Sequence, residues 1–108
     1  MRRFASLRRQ ADFARLRQRG RRISTKAFTF YVGDALPDDS TSLVGITVNK
    51  SIGKAVVRNK LRRRLAAIVN ETLAPERAIR LLVAARPAAA ELPFAALRAE
   101  VGAALERA

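Results

Sequence analysis

A chain of 108 residues, 49% of them apolar, suits one domain with one buried core and is too short for two. Lys and Arg number 22 against nine Asp and Glu, a net charge of +13, which directs attention to a polyanionic partner. The absence of cysteine excludes disulfides and fits a reducing compartment, and no apolar run approaches the length of a membrane span.

The charge is blocked rather than scattered. Residues 1–26 carry ten bases and the single acid Asp12, whereas residues 27–49 carry three acids and no base. Residues 50–64 carry seven bases and no acid, and residues 65–108 balance at five and five. Scattered charge would serve solubility equally well, and crowding it adds self-repulsion, so the two blocks read as the footprint of a polyanion. The start, MRRFASLRRQ, has the composition of a transit peptide, but the apolar residues after it read as part of the domain.

In chain order, the first predicted helix runs from about Gln10 to Gln18, with Phe13 and Leu16 on one face. Gly20 follows, where a left-handed residue is least costly. Arg21 to Ser24 is a candidate edge strand. From Ala27 to Val32, Phe28, Phe30 and Val32 alternate with Thr29 and Tyr31, the period of a half-buried strand. Asp34 to Ser42 is a polar loop. Leu43 to Val48 reads as a strand with Val44, Ile46 and Val48 on one face and Gly45 and Thr47 on the other.

Gly53 then precedes a long helix, about Ala55 to Leu73, stopped by Pro75. Its predicted buried stripe is Val57, Leu61, Leu65, Ile68 and Val69. Ile79 to Ala85 is nearly all apolar, as in a strand covered on both faces. A last helix opens at Pro93, with Phe94, Leu97, Val101 and Leu105 inward. The order helix, two or three strands, helix, strand, helix predicts one α+β domain over residues 1–108, with helices packed on a mixed sheet.

The segment Lys54–Arg64, KAVVRNKLRRR, is the informative one. Asn59, Lys60, Arg62, Arg63 and Arg64 fill most of the arc outside the apolar stripe. Lys54–Arg58, Arg58–Arg62 and Lys60–Arg64 are like-charge pairs four residues apart, each destabilising an isolated helix by about 0.2–0.5 kcal/mol. No acid offsets them before Glu71. A solvated face normally mixes signs, so this arc is read as a nucleic-acid contact. Arg58 falls at the edge of the buried stripe, either pinned by a local carbonyl or aimed at a partner beyond the helix start. Asn59 can both donate and accept, which suits ribose hydroxyls and base edges.

The run TVNKSIGKAVVRNKLRRR, Thr47 to Arg64, resembles the signature of the bacterial ribonuclease P protein family. That pattern has a strand ending in Ser-Val-Ser-Lys-Lys, a Gly, then Ala-Val-x-Arg-Asn-Arg-x-Lys-Arg. The likeness extends along the chain: Asp12-Phe13 with Gly20 seven residues on, the aromatic strand with Phe28, Phe30 and Tyr31, and the exit Leu81 to Pro87. Departures are Lys60 for the second Arg of Arg-Asn-Arg, Ala66 for an arginine, Asn49 and Ser51 at the strand exit, Leu43 for an arginine, Arg17 for an aromatic, and Ile79 near a missing acid. None touches the Ala-Val-x-Arg-Asn core.

The resemblance implies a two-layer α+β sandwich of order αβββαβα. Its mixed sheet would have about four strands, with a left-handed strand–helix–strand crossover, against a general rule that favours right-handed ones in about 98% of cases. It implies a cytoplasmic accessory subunit that joins a catalytic RNA and precursor tRNA, with no membrane or small-molecule substrate, and promotes removal of the 5′ leader. The catalytic-RNA set carried over by position is Lys50, Lys54, Arg58, Asn59, Lys60, Arg62, Arg63 and Arg64. The leader set is Phe13, Arg17 and Tyr31, residue types that suit a basic groove with stacking platforms. Phe13 and Tyr31 also suit plain core packing.

A self-sufficient enzyme is disfavoured, since the chain has no His or Cys and Gly53-Lys54 lacks the spacing of a phosphate loop. No catalytic residue is assigned and no metal ligand is named. Mg2+ is expected in the holoenzyme, bound mainly by RNA, where it activates water and stabilises the leaving oxygen. Two competing readings are a general or ribosomal RNA-binding protein and a DNA-compacting protein. The second is disfavoured because Phe13 and Tyr31 look placed for unstacked bases.

Overall fold

Alternating apolar residues and two long amphipathic segments build a layered fold, and the computed structural model describes residues 3–74 and 76–107. The elements are β1 (Phe4–Ser6), α1 (Gln10–Arg19), β2 (Arg21–Ser24), β3 (Phe28–Asp34), β4 (Ser42–Thr47), α2 (Ala55–Thr72), β5 (Ile79–Ala85) and α3 (Phe94–Glu106). Short 3-10 turns occupy Lys50–Ile52 and Pro87–Glu91. The sheet order is β1-β4-β5-β3-β2. β1, β4 and β5 run parallel, and β3 is antiparallel to both β5 and β2. The α+β class and mixed sheet agree with expectation, and so does the edge strand at Arg21–Ser24. β1 is a fifth strand beyond the four expected.

β5 lies at the centre of the sheet, and Leu81, Leu82 and Val83 are fully buried, as an apolar strand covered on both faces requires. On one face Phe28, Phe30, Leu81 and Val83 pack with Leu65, Ile68 and Val69 of α2 and Leu97 and Val101 of α3. The Phe28 and Phe30 rings sit 5.3 Å apart at 37°. On the other face α1 seats Leu16 with Leu7 and Leu82, and Phe13, Tyr31 and Leu43 pack around them.

Three expectations are corrected. Gly20 has φ −69° and ψ 154°, an extended and not a left-handed conformation. Glycine is required there by space: a Cβ would lie 2.5 Å from the Leu16 carbonyl oxygen. Gly20→Ala should therefore cost about 1–3 kcal/mol, read as a lower midpoint in thermal unfolding, because the obstacle is backbone and cannot rotate away. Val57 is 40% exposed and Phe94 41% exposed, so neither belongs to the buried stripe, whereas Leu105 packs partly buried against the core and Ala104 is buried beside it. Pro93 precedes α3 rather than opening it. The expected stop at Pro75 lies outside the described residues.

The β3–β4 loop is tied down by Arg80. Its guanidinium pairs with the Asp39 carboxylate and donates to the Thr41 carbonyl at 3.1 Å. The Thr41 N–H first, and Arg80 second, hold the Asp39 carboxyl below its ordinary value. That tether is present at neutral pH and is lost as the pH falls through the lowered value.

Candidate nucleic-acid interface

The start of α2 is shaped by a sequence of small local bonds. The Asn49 side chain accepts from the Ser51 N–H at 3.1 Å, and Ile52 is buried, which anchors the turn. Gly53 has φ +147°, a conformation that L side chains rarely adopt. From there the helix begins at Ala55 with no side-chain cap. Arg58 folds back so that its Nε–H donates to the Gly53 carbonyl at 3.1 Å. Of the two alternatives open for Arg58, the local carbonyl is the one observed. Its two terminal nitrogens have no protein partner among the described residues.

Asn59 accepts from Arg62 at 3.0 Å through its side-chain oxygen, which leaves its amide group to donate. Lys50, Lys54, Asn59, Lys60, Arg62 and Arg63 are exposed, while Arg58 and Arg64 are half-buried. Among the described residues, none of the bases in residues 50–64 makes an ion pair with an acid. The arc therefore presents uncompensated positive charge on a rigid helix, the arrangement that holds phosphates.

The second surface is the face of the sheet that α1 only partly covers. Phe13 lies over Gly45, its ring 2.8 Å from where a Cβ would sit, and Leu16 lies over Gly33 at 2.9 Å. Small residues in β3 and β4 thus let α1 approach the sheet. Phe13 is half-buried and packs as a wedge of the small core formed by Leu7, Leu16 and Leu82. Arg17, one turn further on, is exposed. Tyr31 is half-buried beside the same cluster.

Strand register adds two arginines that sequence reasoning missed. Arg22 on β2 is the direct cross-strand partner of Tyr31, so both side chains share a face. Thr29, two residues before Tyr31 and also on that face, accepts from Arg86 at 2.8 Å. Arg22 and the Arg86–Thr29 bond thus lie on the same sheet face as Tyr31. β4 leads from Thr47, on the same face, into the turn at Lys50 and so to α2. Among the described residues no helix is long and apolar enough to cross a membrane.

Together these features define a basic α+β domain in which β4 leads from a sheet face carrying Tyr31 and Arg22 into an acid-free helix arc. The Ribonuclease P family pattern matches residues 1–108. The ribonuclease P protein component of Acidothermus cellulolyticus is 43% identical over 96 residues, covering 87% of this chain and 79% of that protein. That of Thermobifida fusca is 38% identical over 106 residues, covering 92% and 72%. Among solved structures, the RNase P protein of Staphylococcus aureus superposes with a TM-score of 0.83 at 24% identity, covering 94% of this chain and 92% of that one. The protein from Thermotoga maritima gives 0.80 at 23%, covering 95% and 96%. The chain belongs to the ribonuclease P protein family.

Proposed function

We propose that this chain binds the catalytic RNA of ribonuclease P through the start of α2 and the 5′ leader of precursor tRNA through the sheet face beneath α1. The observation that carries the reading is the run of seven bases in residues 50–64 with no acid among them and, among the described residues, no ion pair on any of them. Lys50, Lys54, Arg58, Asn59, Lys60, Arg62, Arg63 and Arg64 form the RNA-docking set. Tyr31 stacks an unpaired leader base, Phe13 walls the cleft, and Arg17, Arg22 and Arg86 supply cations for the flanking phosphates. The endonucleolytic step belongs to the RNA and its Mg2+ ions, in the cytoplasm. The protein's part is to hold the substrate, which raises the local concentration of leader at the site.

Mixing the purified protein with the large RNA and precursor tRNA tests this reading: leader removal should accelerate over RNA alone, and no acceleration would refute it. The salt dependence tests the surface. With most of the seven bases on phosphates, log K for assembly should fall against log salt with a slope of roughly −4 to −7. A slope shallower than about −2 would make the arc a solvated surface.

A further inference from the structure

Four large apolar side chains are exposed among the described residues, and two of them, Val56 and Val57, are adjacent on the first turn of α2. Val56 is 78% exposed, in the middle of the basic arc. A β-branched residue there gains little helix propensity and leaves its methyl groups in water, so local stability does not explain it. The two valines line a groove of about 310 Å³ together with Ala90, Leu92, Lys60 and Arg64. Lys60 and Arg64 are one helical turn apart, so their repulsion is relieved when one anion sits between them.

We infer that this groove docks one unstacked nucleotide of the catalytic RNA. The base lies on the methyl groups of Val56 and Val57 against Ala90 and Leu92, and its phosphate sits between Lys60 and Arg64. The inference rests on the assembly reading above and adds an apolar contact to a surface otherwise read as purely electrostatic. Charge selects the occupant. A second copy of the chain would bring the same acid-free arc against itself, whereas an RNA nucleotide supplies both the apolar face and the anion.

Titration of the catalytic RNA with wild type, Val56→Ser and Lys60→Ala over a range of KCl concentrations tests the inference. An uncharged contact releases no counterions, so Val56→Ser should raise Kd about ten-fold at every salt concentration, giving a line parallel to wild type. Lys60→Ala should instead flatten the slope by about one. Val56→Ile, which keeps the apolar face, should bind within about two-fold of wild type. Val56→Ser must melt cooperatively at the wild-type midpoint, as an exposed position allows.

Wild-type affinity in Val56→Ser, with a steep wild-type slope, overturns the nucleotide groove and leaves the assembly reading intact. A shallow slope in the wild type removes the assembly reading and this inference with it. Sedimentation equilibrium of the free protein covers the remaining occupant: a dimer that Val56→Ser abolishes would assign the groove to a second copy and overturn the inference.

Discussion

Arg58→Ala is expected to raise the Kd for the catalytic RNA by about ten- to one-hundred-fold, the loss of one or two hydrogen bonds from a charged donor to phosphate. The fold should survive. The bond that Arg58 makes within the protein, Nε–H to the Gly53 carbonyl, is exposed and contributes only about 0.5–1.5 kcal/mol. What that bond does is orient the guanidinium: with Nε held at the turn, the planar group is fixed relative to the helix start before RNA arrives. Arg58→Lys keeps the charge without the fork and should recover only part of the affinity. Arg98→Ala is the matched control, because Arg98 is exposed and pairs with Glu71 on the outer faces of α2 and α3. Its removal should change Kd by less than about three-fold. Equal losses from the two alanine variants would remove Arg58 from the docking set. Loss of cooperative unfolding in Arg58→Ala would make the residue structural.

The parts of the fold that were legible from the sequence are those with a repeated local signal. α2 and β5 appear within a residue of their expected bounds because stripe and apolar run each extend over many residues. β1 was not legible: its three residues lie in an arginine-rich stretch, and their partners, Ser42 to Val44, are far along the chain. Val57 and Phe94 show a different limit. Helical periodicity specifies an angle around the axis but not how far neighbouring elements extend along it, and both residues sit on first turns, where cover runs out. Within the candidate site, the α2 cations needed no tertiary information, since an acid-free run is visible residue by residue. Arg22 and Arg86 join Tyr31 only through strand register and a side-chain bond between residues 86 and 29, neither of which periodicity specifies.

Tyr31→Ala should weaken binding of precursor tRNA to the assembled complex by a factor of roughly 5 to 150, the ~1–3 kcal/mol of one stacked base. Assembly with the catalytic RNA and affinity for mature tRNA should stay nearly unchanged, because the proposal places only the leader on the sheet face. Tyr31 is half-buried beside Leu82, so the alanine variant also leaves a gap in the small core under α1. Two further variants separate the ring from the volume. Tyr31→Phe keeps the platform and should bind precursor tRNA close to wild type. Tyr31→Leu fills most of the gap but offers no aromatic face, and should lose nearly as much as alanine. Should leucine restore binding, the residue serves packing alone. Should precursor and mature tRNA lose affinity equally in folded complexes, the leader assignment fails. The comparison is sharp because Arg22 and Arg86 remain in every variant: the part of the precursor-over-mature preference that Tyr31→Ala loses at every salt concentration belongs to the ring, and the part of that preference that persists and varies with salt belongs to cations on the sheet face.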